Sequence, residues 1–471
     1  MKHKKYLIFI IAVWAFLVFP FAGMLFWRSD ETTENTELAS FPSLKTEEGW
    51  NQEYLSEMGA YFEDHFALRQ YWVTANALLR KNVIQSSATD QVVLGKNDWL
   101  YFSGTTADYQ GTNLFSEREM NAILHNLKLI QNYVQQQGSA FYLMVPPNKN
   151  SLYDENMPYY YQKGDGSNLK MLTERFQQEG ISYIDLYGAF QEKEEVLYFQ
   201  RDSHWNNQGA LLAYRNLMEQ VGKDYETYLN VPFDVEKVHS GDLDEMLFPK
   251  AVQKEDDYFY DTASNFVYVN EVKDNMDSWI ETENPDATGS ILMYRDSFGE
   301  SLLPFVAGEF ERGYFSRLVP YNLLQVEQYQ PDVVVIEKVE RNLDDFITDM
   351  PIVECPQVKN MIAPQAQTNT EMTAEKAGSF LEIKGTLDEK YVQPDTQIYV
   401  SVRDENTMET KTYETFYAET EDGEANGFHL YLKGGSVPEG NIQLNVIAVN
   451  GSQPFIVCSK EITGIFREVM K

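Results

Sequence analysis

The parts of a hydrolase-type site lie in two short stretches of this chain. Arg201-Asp202-Ser203-His204-Trp205-Asn206 sets a carboxylate and an imidazole two positions apart, directly before a helical pattern. Further on, Tyr294-Arg295-Asp296-Ser297-Phe298-Gly299 places a serine at the end of an apolar strand pattern. A serine hydroxyl is a poor nucleophile until a base takes its proton and an acid holds that base in the right tautomer. Asp202, His204 and Ser297 supply these three functions, with Ser297 as nucleophile, His204 as general base and Asp202 as the residue that fixes His204. Ser203 reads as a spacer and Trp205 as packing. Each stretch also has a plain reading: Ser297 or Asp296 as a helix cap, and His204 as a ring packed under the helix that follows.

The surrounding pattern decides whether these residues can meet. Ser290 to Tyr294 reads as a strand and Phe298 to Phe310 as a helix, so the turn between them would lift Ser297 to the carboxyl end of its strand. Open α/β sheets bind ligands at that edge. The Ser297 and Phe298 backbone N–H groups would then sit at a helix N-terminus, suited to an oxyanion. Asp202 and His204 follow a second short strand, Ile181 to Leu186, and precede a helix from about Gln208 to Val221. Ala140 to Val145 and Asp332 to Glu337 are continuous apolar runs, as in strands buried on both faces. Ser116 with Glu119 forms a capping box ahead of a helix ending at Gly138, and Ser167 opens another closed by Gly180. The alternation implies an α/β, mainly parallel, doubly wound sheet over residues 116–360. Within it the signal lapses at about 231–287, an acidic, tyrosine-rich insertion that would border the cleft. Lys149, at the end of the 140–145 strand, and Arg295 are candidate substrate-binding residues.

The rest of the chain sets where the site works. Tyr6 to Trp27 is apolar and uncharged, preceded by Lys2, Lys4 and Lys5 and followed by Asp30, Glu31 and Glu34. That is long enough to cross a bilayer, and the charge order keeps the N-terminus in the cytoplasm. Residues 1–28 therefore read as an uncleaved single-pass anchor, residues 29–115 as linker and lead-in, and the catalytic domain as extracellular. A cleaved signal peptide is the competing reading. The formal net charge is −34, with 72 acidic residues against 38 basic, which excludes nucleic acid as a partner. His65, beside Asp64, reads as a packed or surface helix residue. Residues 365–471 alternate apolar and polar between turns such as Asp422-Gly423 and Asn450-Gly451, the pattern of a separate all-β sandwich. Two distant cysteines, Cys355 and Cys458, and no His/Cys cluster give no metal or cofactor site.

Asp202-Ser203-His204-Trp205 and Arg295-Asp296-Ser297-Phe298-Gly299 resemble the Asp-x-His-Trp and Gly-Asp-Ser-like blocks of the AlgX/AlgJ-like (DHHW) branch of the SGNH hydrolases. Glu34-Asn35-Thr36-Glu37-Leu38-Ala39, Asp64-His65-Phe66-Ala67-Leu68-Arg69, Gly95-Lys96-Asn97-Asp98-Trp99-Leu100 and Val145-Pro146-Pro147-Asn148-Lys149 are similar to further blocks, in the same order. The resemblance implies a permuted SGNH fold with Asp and His ahead of Ser. It also implies O-acetyl transfer to an exopolysaccharide or cell-wall glycan, alongside a membrane-bound acyltransferase of the MBOAT type. Thr36 stands where that family often has Arg, and the C-terminal region has no clear match to the alginate protein's carbohydrate-binding module. An acetyl esterase using the same triad, or a non-catalytic glycan-binding scaffold, are the alternatives.

Overall fold

The computed structural model describes residues 2–29, 38–46, 49–224, 227–228, 230–260 and 265–463. Asp30, Glu31, Glu34 and the first part of the Glu34–Ala39 block lie outside the described residues. The chain opens with a helix, Lys2–Ala22, followed after Gly23 by a short one, Met24–Trp27. Lys4–Ala22 is long and apolar enough to cross a membrane.

Beyond a helical lead-in stands the central sheet. Five of its seven strands run parallel, in the order Tyr183–Ile184, Ala140–Met144, Val333–Glu337, Ser290–Tyr294, Arg312–Ser316. Val333–Glu337 is buried at every position, as its unbroken apolar run requires of an interior strand covered on both faces. Ser116 caps helix Glu117–Gln136 with the expected capping box, and Gly180 and Gly222 end their helices in the left-handed conformation that glycine tolerates best.

Three strands of the central sheet escaped the sequence pattern. Arg312–Ser316 follows directly on the helix of Ser297, and its Arg-Gly start hid it. Trp279–Glu283, inside the supposed insertion, pairs antiparallel with that strand, and Val267–Tyr268 pairs antiparallel with Trp279–Glu283 at the sheet edge. The part of the insertion that leaves the sheet is a hairpin, Phe233–Ser240 with Lys254–Tyr260, carrying helix Asp242–Leu247 at its tip.

The C-terminal part is an all-β sandwich of a five-stranded and a four-stranded sheet. Its pairing begins at Gln357–Val358, ahead of the change of pattern near Pro364. Helix Glu117–Gln136 fastens the sandwich to the sheet domain. Arg118 donates to Thr396 O at 2.7 Å and Ala425 O at 2.9 Å, and stacks over Tyr417. Asn126 donates to Tyr417 O at 2.7 Å and accepts from Tyr417 N at 2.9 Å. These polar groups are buried, so each unmade bond would cost about 1–3 kcal/mol. Cys355 and Cys458 are free thiols.

Candidate active site

Ser297 follows the strand Ser290–Tyr294, which lies between two parallel neighbours and is buried along most of its length. Helix Gly299–Ala307 begins two residues after Ser297. Asp296 shapes the turn between strand and helix. One of its oxygens accepts from Phe298 N at 2.8 Å and the other from Val339 N at 2.7 Å, while its own N–H donates to the buried Glu337 at 3.0 Å. This tie across to the next strand aims Ser297 out of the sheet edge. The Phe298 N–H is thereby spent on Asp296, which corrects its expected role in an oxyanion hole. Ser297 N–H has no protein acceptor among the described residues, and the amide of Asn275 lines the same cleft.

Arg295 points the other way. Buried to 3 % exposure, it donates to the backbone oxygens of Asn275 and Asp277, pinning the loop beside Ser297. It is a structural anchor rather than a substrate-binding residue. Lys149 needs the same correction. It is 4 % exposed and donates to Phe199 O at 3.2 Å, Gln200 O at 3.1 Å and Asp202 O. Burial pulls its pKa down to about 8. Position at a strand's carboxyl end suggested a cleft residue, but the carbonyls of the 199–202 loop supply the polar partners that a buried ammonium needs.

That loop carries the other two expected residues. A bridge between Tyr198 and Trp205 closes it, and the Asn206 side chain caps the following helix Asn207–Val221. The Trp205 indole N–H donates to Phe298 O at 3.1 Å and Ser301 Oγ at 2.8 Å. Trp205 thus packs, as expected, and also locks the His204 loop against the Ser297 turn. His204 Nε2 lies 2.8 Å from Ser297 Oγ, and His204 Nδ1 lies 2.7 Å from Asp202 Oδ1. The structure brings the three residues together in the order the reaction needs.

Asp202 has further partners that the sequence did not announce. Its Oδ1 also accepts from His204 N at 2.8 Å, and its Oδ2 accepts from His239 Nε2 at 2.8 Å and Asp242 N at 3.0 Å. His239 stacks flat on Phe199 with ring centroids 3.6 Å apart. Asp242 accepts from Ser203 N at 2.7 Å and Ser203 Oγ at 2.6 Å, so Ser203 is a tether rather than a spacer. Both residues come from the hairpin insertion. Val238-His239-Ser240-Gly241-Asp242 is a second Asp/His pairing, and that was the available signal. By contrast His65 is buried, with its ring nitrogens 2.8 Å from Ser29 O and 3.0 Å from Ala39 O, a packed residue far from this chemistry.

The electrostatics follow from these contacts. Burial alone would favour a neutral Asp202, but the charges and hydrogen bonds of His204 and His239 hold its carboxyl well below the usual range. Burial likewise opposes a charged His204, yet Asp202 and then Asp242 lift its pKa above the ordinary value. His239 is raised too, burial being outweighed by Asp202. An ionised Asp202 makes His204 Nδ1 the donor, leaving Nε2 to accept the Ser297 proton. One ligand atom each of Asp202, His204 and Asp242 lies within 4.8 Å of the others, close enough to hold a cation. The Asp202 and Asp242 oxygens are already engaged with donors of the protein, however, and His204 Nδ1 with Asp202.

The triad opens into a cleft of about 450 Å³ lined by Tyr258, Phe259, Tyr260, Phe305, Asp257 and Glu300 among others. No Lys or Arg lines it among the described residues. Residues 92–286 match the family model described as SGNH hydrolase-like domain, acetyltransferase AlgX, a span that holds Asp202, His204, His239 and Asp242 and ends ahead of Ser297. No curated protein matches the chain. Among solved structures, PatB1 of Bacillus cereus is 17% identical, covering 54% of this chain and 98% of its own, with a TM-score of 0.44. The O-acetyltransferase domain of Pseudomonas putida AlgJ is 20% identical over 54% of this chain and 92% of its own, with a TM-score of 0.36. Pseudomonas aeruginosa AlgX is 15% identical over 76% and 94%, with a TM-score of 0.36. Over residues 92–286 the chain is thus similar to the SGNH hydrolase-like domain of the acetyltransferase AlgX family.

Proposed function

We propose that this protein is a membrane-anchored, extracellular O-acetyltransferase of an exopolysaccharide or cell-wall glycan, with Asp202, His204 and Ser297 as its catalytic triad. The observation that carries the reading is a single imidazole bridging a serine hydroxyl at 2.8 Å and an ionised, buried carboxylate at 2.7 Å. The match to an acetyltransferase family supports the type of reaction.

In the first half-reaction Ser297 Oγ attacks the carbonyl carbon of an acetyl donor while His204 Nε2 takes the hydroxyl proton. The oxyanion is met by Ser297 N–H and by the Asn275 amide. Collapse breaks the bond to the donor's leaving group, which takes the proton from His204 and leaves Ser297 acetylated. In the second half a sugar hydroxyl gives its proton to His204 and attacks the acetyl carbon. The product is an O-acetyl sugar, and the same His204 proton returns to Ser297.

Tyrosine and phenylalanine rings along the cleft suit the faces of sugar rings. With acids and neither Lys nor Arg at its described walls, the cleft favours a neutral or amine-bearing glycan over a polyanionic one. A partner of the MBOAT type would deliver acetyl groups from the cytoplasm, an expectation that rests on the family resemblance. The test is to incubate the protein with an activated acetyl ester and neutral oligosaccharides and follow both products. Acetylated sugar is the expected result. Free acetate alone, formed at a Ser297-dependent rate, would make it an esterase instead.

A further inference from the structure

The helix Arg69–Leu79, continued by the turn Arg80–Ile84, is built inside out. Gln70, Thr74 and Ala77 face the protein, with Thr74 donating to Gln70 O at 2.8 Å and accepting from Lys250 N at 3.0 Å. The large apolar residues point outward: Tyr71, Leu79, Val83 and Ile84 are 59–71% exposed, with Asn76 and Asn82 beside them. Positions 71, 75, 78 and 79 share one helical face, so this is a continuous apolar stripe and not scattered side chains.

Contacts with the first helix place that stripe beside the candidate membrane span. Trp72 meets Phe16 edge-on with ring centroids 5.3 Å apart, Phe62 meets Phe21 at 5.5 Å, and Ala67 N donates to Pro20 O at 2.8 Å. Phe16 lies six residues before Ala22, the end of the apolar helix, which at 1.5 Å per residue is about 9 Å inside it. Amphipathic helices lying in a bilayer interface sit about 5–10 Å deep, so the two depths agree. Charge agrees as well. Phe66 to Thr89 contains Arg69, Arg80 and Lys81 and no acid, in a chain whose net charge is −34. Lys81 pairs with Asp98, and Arg80 is exposed at the end of the stripe.

We propose that Arg69–Ile84 lies in the outer interface of an anionic bilayer, its Tyr71–Ile84 stripe among the acyl chains and Arg80 at the headgroups. This rests on the reading of Lys4–Ala22 as a membrane span. It gives the protein two membrane contacts, a span and a flat helix, and two contacts fix tilt and height where one leaves the domain free to swing. The occupant is lipid, not the helices of a neighbouring membrane protein.

The test uses the full chain in vesicles of phosphatidylcholine and phosphatidylglycerol. Cys458→Ser removes the half-buried thiol, and the fully buried Cys355 stays. Single cysteines at Val13, Leu79, Val83 and, as a control in an exposed turn, Glu421 are labelled with an environment-sensitive fluorophore. Lipids carrying a nitroxide near the headgroup or near the bilayer centre then report depth. Labels at 79 and 83 should be quenched several-fold more strongly by the shallow nitroxide than the label at 421, while the label at 13 responds to the deep one. Deep quenching at 13 with none at 79 and 83 overturns the interfacial helix but leaves the span, and assigns the stripe to a protein partner. No quenching at 13 overturns the span itself.

Discussion

Two regions build the candidate site by different means. The sheet edge contributes Ser297 from the turn after its strand, and Asp202 and His204 from a loop that follows the short helix Leu186–Gln191; both lead into helices and are tied by hydrogen bonds to buried groups. The hairpin insertion contributes His239 and Asp242 from the half-buried end of an otherwise exposed strand and the start of the helix that follows it. The first region holds the groups that would exchange protons with substrate. The second completes the hydrogen bonds of Asp202, tethers Ser203 through Asp242 and lines the cleft with Tyr258 and Tyr260. Reactive groups thus sit on the rigid scaffold, and their support comes from an element that must first fold down onto it.

The contrast predicts a graded series. Ser297→Ala should lower acetyl transfer by about 10⁴-fold or more, since removing a triad nucleophile leaves only binding and oxyanion contributions. Circular dichroism should show an unchanged fold, and a loss of less than tenfold would remove Ser297 from the mechanism. Asp202→Asn should cost about 10³–10⁴-fold in kcat, because an amide cannot accept from both imidazoles and lets His204 take the wrong tautomer.

Gly241→Ala tests the hairpin without touching a reacting group. A Cβ there would sit 2.2 Å from Arg201 O, a backbone atom that cannot step aside, so the hairpin must lift off the Asp202 loop. The expected outcome is a loss of about 1–3 kcal/mol in unfolding free energy together with a drop in kcat. Unchanged kcat would mean that the hairpin contributes stability alone.

The smallest effect belongs to His239→Phe, which keeps a ring stacked on Phe199 but removes one donor from Asp202. Activity should fall by about tenfold, the lower end of what one charge-assisted hydrogen bond is worth. Its signature is the pH profile. His204 must be neutral to act as base and its pKa is raised, so kcat/KM should climb with pH through a value above the ordinary imidazole range. With one donor gone, Asp202 holds the His204 proton more tightly, and that limb should move to higher pH. A scaffold effect would lower the rate and leave the limb in place.

Stability and activity run in opposite directions here. Raised imidazole values at His204 and His239 contribute stability that is full below the unfolded value near 6.5 and is lost as pH rises through the folded ones. The depressed Asp202 contributes above the unfolded carboxylate value and loses it as pH falls through its folded one. The site is therefore most stable in mildly acidic solution and most active above it.

Much of this was legible in sequence where local pattern and chemistry coincided. Asp202, His204 and Ser297 could be read because each sits between a strand pattern and a helix pattern, a context that fixes which sheet edge it reaches. Lys149 and Arg295 have the same context and were misread. Direction along a strand does not tell whether a long side chain turns into the cleft or back under a neighbouring loop, and burial among carbonyls decided both. Phe298 N–H was misjudged because the Asp296 carboxylate competes for it, a contact within the turn that position alone does not weigh. His239 was missed for a different reason, its pairing with Asp242 being the one signal available. It lies 37 positions from Asp202, on a strand whose outward residues carry no period that points at the sheet.

The four hydrogen bonds on Asp202 also have a bearing on time. They come from residues 204, 239 and 242, and Ser297 lies 93 positions beyond His204. On the proposed reading of an N-terminal anchor, a chain crossing the membrane would bring out Asp202 and His204 first, His239 and Asp242 next and Ser297 last. Every partial chain before that point lacks Ser297, so on that reading none of them could take up an acetyl group.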